Sequence, residues 1–441
     1  MVPAAETKER FRGGVRGKLI RSTLAHNVMS LYAGQAAMYL APLITIPYLT
    51  RVLGPAEWGR YSFAMAISVQ LALLVDFGFG ITASRTIATL RDSPSQIGLT
   101  LGAAIAAKLV LMAMAACLAV LAFTEIPSVH RTAGLFWFAA AAGITQGLNF
   151  SWYLYGVEKI AYAVALDLGS RLAVAGAMVA LVRTSQDAWI FFALQIVANV
   201  LVTAAGLTYI LRSASILWPG RRPIASMLVD GIHATLSRCG FGIFTGVNTF
   251  LLGLYATSDV VGQYAGAERI ARVVTVFPMP ISQALFPRIS HSIATRSPSL
   301  SALRMLGSTA TIVTGAVTSI VTFVLAPLVT KVLLGPGFET SGVILRILSP
   351  LPLLVSCNQV LLYQYLFPAG ELRIVSLCLT GTTLMSLAGI VMLGYAGRPN
   401  MFALAADVAE AAAMACLIAR VGQKRAQLPV QVSAASSRAN R

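Results

Sequence analysis

The chain has 441 residues, of which 57% are hydrophobic and 11% charged, and its formal net charge is +17. Soluble domains carry about 25% charged residues, so this chain lacks the polar side chains to cover a soluble fold of its length. Composition excludes an ordinary soluble enzyme and points to an all-α protein that crosses a membrane many times.

Apolar stretches of about 20 residues, the length that crosses a ~30 Å hydrocarbon core, recur between short polar breaks. Residues 1–26 form a basic tail carrying Lys8, Arg10, Arg12, Arg16, Lys18 and Arg21. The apolar stretch behind it is long for a signal-peptide core and is followed by further spans, so it reads as a first anchor with the N-terminus inside. Spans are expected at 27–50, 60–80, 97–123, 133–155, 161–183 and 188–211, a six-helix bundle over 27–212. A cytoplasmic linker at 213–230 leads to spans at 231–255, 260–286, 303–330, 342–367, 373–396 and 400–420, a second bundle over 231–421. Residues 422–441 are expected to be a disordered cytoplasmic tail. With both termini inside, Lys and Arg on the inner face outnumber those on the outer face about threefold, as the positive-inside rule requires of an even number of crossings.

Basic tails and inner loops beside an anionic leaflet account for most of the net charge. No basic-aromatic stripe or nucleic-acid-binding fold accompanies it, so no nucleic-acid partner is expected. Cys117, Cys239, Cys357, Cys378 and Cys416 lie singly in apolar spans and read as small core residues. His26, His130, His233 and His291 are scattered toward span ends and the outer breaks are short. Both features argue against a membrane polysaccharide polymerase or ligase, and no metal or cofactor is expected. The pattern Gly78-x-Gly80-x-x-Ala83 follows a membrane span and no strand, so it is not a dinucleotide fingerprint.

The second half echoes the first. "LGPAEWGRYSFAMAI" (53–67) introduces span two and "YATSDVVGQYAGAERI" (255–270) introduces span eight, with Gly59-Arg60-Tyr61 aligned to Gly262-Gln263-Tyr264. At the inner ends of spans four and ten, "WYLYGVEK" (152–159) aligns with "QYLFPAGE" (364–371). Six crossings return the chain to its starting side, so the two repeats are parallel, related by an axis along the membrane normal, and expected to enclose a cavity.

"APLITIPYLTRVLGPAEWGRYSFAMAI", "LLVDFGFGITASRTIATLRD" and "VGQYAGAERIARVVTVFPMPISQALFPRIS" resemble the oligosaccharide flippases of the polysaccharide transporter family, within the multidrug, oligosaccharidyl-lipid and polysaccharide (MOP) exporter superfamily. The likeness runs the length of the chain. It implies a V-shaped pair of six-helix bundles in the bacterial inner membrane that flips an undecaprenyl-diphosphate-linked oligosaccharide to the outer leaflet by alternating access, for exopolysaccharide, capsule or O-antigen synthesis. Implied partners are the lipid-linked oligosaccharide, the bilayer, and polysaccharide polymerase and export machinery. A multidrug antiporter or a lipid II flippase of the same superfamily is the alternative.

An ionisable side chain at the bilayer centre costs roughly 2.5–3.5 kcal/mol on insertion scales, so it is expected to face a partner or a watered cavity. At ~1.5 Å per helical residue, Lys108, Arg171 and Arg272 fall near the midplane, and Arg238 and Arg269 lie nearer the two faces. Asp167 with Arg171 and Glu268 with Arg272 stand four apart, spacing that lets each carboxylate meet its own Arg, and a structural ion pair is the bland reading of both. The expected excess of positive charge suits a diphosphate, and the forked guanidinium suits phosphate oxygens. Lys108 has the alternative of snorkelling or sitting on a helix interface. Asp76 reads as a loop-facing structural group or a ligand of a coupling ion, H+ or Na+. Pro42, Pro47, Pro278 and Pro280 are hinge candidates or static kinks. Trp152, Tyr153, Tyr155, Tyr363 and Tyr365 read as an interfacial belt. Asp407 and Glu410, three apart in span twelve, have no assigned partner.

Overall fold

The computed structural model describes residues 44–90, 93–239, 246–295, 297–298, 300–395 and 401–439, and its described elements are helical throughout. The first half comprises α1 (44–76), α2 (Phe79–Thr89), α3 (Pro94–Glu125), α4 (Pro127–His130), α5 (Ala133–Gly147), α6 (Ser151–Gly156), α7 (Ile160–Leu181) and α8 (Ala188–Ser213). The second comprises α9 (Arg221–Cys239), α10 (Val247–Tyr255), α11 (Ser258–Thr275), α12 (Met279–Ala294), α13 (Leu300–Leu333), α14 (Glu339–Ile347) and α15 (Leu351–Val360). A π-helical turn (Leu361–Leu366), α16 (Leu372–Tyr395) and α17 (Phe402–Ala439) complete it.

The expected spans fall mostly on helix where they are described, with breaks at 77–78, 148–150, 276–278 and 348–350, and only nine helical stretches among the described residues are long and apolar enough to cross a membrane by themselves. The difference has local causes. α1 and α2 follow each other closely enough to count as one run, Ile44–Thr89. Within α1 the expected outer turn survives as a left-handed Gly54 (φ 71°) before Pro55, a helix stop followed by a residue suited to a first turn. Span four is divided between α5 and α6. Span seven is divided between α9 and α10, the latter opening on left-handed Gly246 (φ 85°).

Two boundaries differ from expectation. α9 starts at Arg221, not near residue 231, so the extended connector is only 214–220; Pro223 falls in the first turn, where its missing N–H costs no helical bond. α17 continues to Ala439 through the segment expected to be disordered.

The repeat is real in three dimensions. Lys159 N–H donates to Leu154 O (2.8 Å) and Glu371 N–H to Leu366 O (3.1 Å), equivalent bonds in the two halves. The equivalent residues Glu158 (φ 61°) and Gly370 (φ 77°) both take the left-handed conformation that closes this turn. At the opposite end the matched glycines meet. A Cβ on Gly59 would lie 1.7 Å from Ser258 O, and one on Gly262 would lie 2.0 Å from Pro55 O. Only glycine lets α1 and α11 cross this closely.

Hydrophobic cores follow the same plan. Around the crossing both halves share one core, in which Trp58, Tyr61 and Phe63 of the first half lie with Leu252, Tyr264 and Phe338 of the second. Away from it the cores separate. Phe79, Leu101, Trp152 and Ile210 form one in the first half, and Leu362, Leu366, Val375 and Leu417 another in the second. The start of α9 packs on the first half's separate core through Ile224, Met227 and Leu228, so span seven straddles the expected boundary between bundles.

Candidate functional site

A cavity of about 680 Å³ lies between α1, α5, α6, α7 and α8 of the first half and α10 and α11 of the second. Each long helix contributes a stripe at spacings of three and four, which places every third or fourth side chain on one face. On α1 the stripe runs through Ser62, Met65, Val69, Leu73 and Asp76; on α7 through Asp167, Ser170, Arg171 and Val174; on α11 through Ala265, Glu268, Arg269, Arg272 and Val273.

Six of the charges singled out in the sequence therefore converge: Asp76, Asp167 and Glu268 with Arg171, Arg269 and Arg272. Both i, i+4 pairs form. Arg272 donates to Glu268 at 2.7 Å, and the second Glu268 oxygen accepts from the Thr249 hydroxyl, also at 2.7 Å. Arg171 donates to Asp167 at 2.9 Å, with both side chains more than two-fifths exposed.

Arg269 differs. No carboxylate among the described residues lies within salt-bridge distance of it; its guanidinium carbon lies 4.4 Å from the Trp58 ring centre and 5.6 Å from that of Tyr61. An aromatic face holds a guanidinium through ring quadrupole and dispersion while leaving its N–H groups in the ring plane to bond elsewhere. Trp58 and Tyr61 are fully buried and stacked on each other, 5.2 Å between centres. They escaped the sequence reading because they look like ordinary core, although their three-residue spacing within the repeated motif is the signal that places both rings on one helix face.

Lys108 lies behind the cavity wall. It is 1% exposed, donates to the carbonyl of Gly147 at the end of α5, and sits 5.4 Å from the Phe79 ring centre, with Asp76 as its acidic neighbour. Mid-depth position on a helix cannot tell a lumen-facing lysine from one satisfied by a neighbouring helix end. The Arg238 side chain and Pro42 lie outside the described residues. The described lining thus holds three acidic and three basic groups, so the expected cationic excess is not found there, and Arg269 is the lining base without a carboxylate within salt-bridge distance among the described residues.

Pro278 and Pro280 mark the break between α11 and α12, where Pro280 stands in the first turn of α12 and no helical bond is lost. Pro47 lies within α1. Trp152 and Tyr153 are 2% exposed and belong to the first half's core, not to an interfacial belt; the Tyr153 hydroxyl lies 3.0 Å from that of Ser213. Tandem aromatics fill the wide space where α6 turns beneath α8, and Trp152 and Tyr155 reach the cavity.

Comparison with known proteins gives concordant results. Residues 24–293 match the family model described as polysaccharide biosynthesis protein. A protein of Escherichia coli (strain K12) named as an O-antigen transporter is 27% identical over 378 residues, covering 83% of this chain and 88% of that protein. A protein of Haloferax volcanii named as a low-salt glycan biosynthesis flippase is 23% identical over 249 residues, covering 56% of this chain and 51% of that protein. Among solved structures, a multidrug resistance MATE family transporter of the MOP superfamily in an inward-facing conformation superposes with a TM-score of 0.66 at 13% identity, covering 87% of this chain and 95% of that one. That likeness establishes the fold. The family model spans more than half of the sequence, and with the paired bundles around a central cavity it shows that the chain belongs to the polysaccharide biosynthesis protein family, with the fold of MOP-superfamily transporters.

Proposed function

We propose that the protein is a flippase that carries an undecaprenyl-diphosphate-linked oligosaccharide from the cytoplasmic to the periplasmic leaflet of the bacterial inner membrane, with both termini cytoplasmic. The observation that carries this reading is Arg269, held over Trp58 and Tyr61 in the cavity wall with Arg272 one turn away on the same helix. Two guanidinium groups at this spacing can grip the oxygens of one diphosphate, each through paired N–H groups. The carrier's sugars then lie in the watered cavity and its isoprenoid chain stays in lipid.

The orientation proposed from the basic loops puts the shared core at the outer end. The balanced charge of the lining does not by itself discriminate a glycolipid from a cationic drug; membership of the polysaccharide biosynthesis family favours the glycolipid. Polymerase and export machinery on the outer side are the partners this role requires.

The test is export in a deletion strain complemented by variants, with surface polysaccharide and inner-leaflet lipid-linked intermediates measured together. Arg269→Ala is expected to lower surface polysaccharide about tenfold or more, build up the intermediate, and leave the membrane level of the protein near that of wild type. Arg272→Lys is expected to be partly tolerated because the fork is lost. Full export from the double variant Glu268→Gln with Arg272→Gln would remove Arg272 from phosphate binding and leave it as half of a structural ion pair.

A further inference from the structure

One wall of the cavity, built by α5 and α8, is polar but uncharged. Neither helix adds an ionisable side chain to the lining; they add amides and hydroxyls, Gln146 from α5 and Gln195, Asn199 and Thr203 from α8. A spacing of four sets the three α8 groups on one face, each ~6 Å further along the axis. The same stripe starts at Phe191, whose ring meets that of Tyr61 edge-on at 5.2 Å, and Tyr61 is one of the two rings beside Arg269. The row of polar groups therefore begins near the arginine and runs away from it. It runs toward α6, which meets the later part of α8 where the Tyr153 hydroxyl lies 3.0 Å from that of Ser213 and which adds Trp152 and Tyr155 to the lining.

Helix packing does not use these amides up. Asn199 donates its NH2 to Ala142 O at 3.1 Å, which fixes the side chain and leaves its carbonyl oxygen without a donor among the described residues. Gln146 and Gln195 make no side-chain hydrogen bond among the described residues, and the Gln195 carbonyl oxygen and the Trp152 indole N–H are buried without a partner. A buried polar group left unpaired costs about 1–3 kcal/mol, and membrane helices pack well on small or apolar residues alone. A side-chain amide offers two donors and an acceptor with two lone pairs, so the ligand that suits this wall presents donors and acceptors side by side, as vicinal hydroxyls do. On the neighbouring helix α7, Asp167 and Arg171 pair with each other, so that side adds no net charge.

We infer that Gln195, Asn199 and Gln146 form a subsite for uncharged sugars, the sugar nearest the diphosphate lying against Gln195 and the next against Asn199, with the Trp152 and Tyr155 rings beyond. The inference rests on the proposed substrate, a diphosphate-linked oligosaccharide held at Arg269 and Arg272. It adds an order to the sugars along α8 and a selection by charge: a hexuronate at the second position would bring a carboxylate to a wall that has no base to meet it.

The test is equilibrium binding of four radiolabelled compounds to full-length protein in nanodiscs: undecaprenyl diphosphate, the same lipid bearing one glucose, bearing two glucoses, and bearing glucose followed by glucuronate. Wild-type affinity is expected to rise about three- to tenfold with each glucose, the worth of one or two hydrogen bonds, and to fall back when the second sugar is glucuronate. Gln195→Ala is expected to remove the gain from the first glucose and Asn199→Ala only that from the second. Both variants are expected to bind undecaprenyl diphosphate as wild type does, which also counts the folded protein. Gln195 makes no described hydrogen bond, so Gln195→Ala reads the subsite even where loss of the Asn199 bond to Ala142 O unfolds the other variant. If undecaprenyl diphosphate binds but neither glucose adds affinity, or the gains survive in whichever variants fold, or glucuronate binds as well as glucose, the subsite is overturned and the proposed substrate class stands. If none of the four compounds binds the wild type, the proposed substrate falls and the subsite with it.

Discussion

Lys108 and Arg269 both carry charge inside the membrane, and their surroundings assign them different work. The Lys108 ammonium is sealed against the Gly147 carbonyl, the Phe79 ring and Asp76, with no face toward the cavity. Its removal should therefore act on folding. Lys108→Met keeps most of the volume but leaves a buried carbonyl without its donor, a loss of about 1–3 kcal/mol. The expected outcome is a lower thermal midpoint and less protein in the membrane, with export falling in proportion to protein. Loss of export at full protein level would place Lys108 in substrate handling. Arg269 lines the cavity beside the Trp58 and Tyr61 rings, so its loss is expected at the level of transport.

At the scale of elements, the crossing of α1 and α11 joins the two halves, and its closeness depends on the absence of a Cβ on Gly59 and Gly262. Backbone, not a flexible side chain, stands in the way: Ser258 O on one side and Pro55 O on the other. Gly262→Ala must push the helices apart and disturb the shared packing of Trp58, Tyr61 and Tyr264, costing about 1–3 kcal/mol as over-packed cores do. A midpoint in detergent several degrees below wild type is expected for Gly262→Ala. Gly80→Ala, where a Cβ would meet nothing within 4 Å, is the matched control and is expected to leave the midpoint unchanged.

The two repeats share one core at the crossing of α1 and α11, α9 also packs on the first half's separate core, and the cavity lies between the halves. This arrangement and the bias of basic residues together predict which groups an impermeant thiol reagent reaches from outside the cell. In a chain stripped of native cysteines, a cysteine at Glu125, exposed at the end of α3 beside the joined end, is expected to label from outside. One at Ser95, exposed at the other end of α3, is expected to label only after the membrane is opened. A cysteine at Ser62, 2% exposed and facing the cavity just below the crossing, is expected to stay unlabelled from outside until Gly262→Ala loosens the join. The reverse pattern at Glu125 and Ser95 would invert the topology and the direction of transport.

The sequence by itself determined the class of protein, the placement of its spans, the internal repeat and both i, i+4 ion pairs, because these depend on hydrophobic length and helical period, which are local. It also carried the family likeness, in motifs that include Gly59 and Gly262. Only the tertiary structure decided which charges share a cavity. Lys108 and Arg272 have similar expected depth, yet one meets a helix end and the other a lumen. Trp152 and Tyr153 look like membrane-interface residues until α8 is seen to cover them, and Glu410 gains its partner only when Asn358 comes to face it from α15. In a chain whose helices are apolar on most sides, periodicity leaves the rotation of each helix undetermined, so the face a polar side chain presents is fixed only by the neighbour that packs against it.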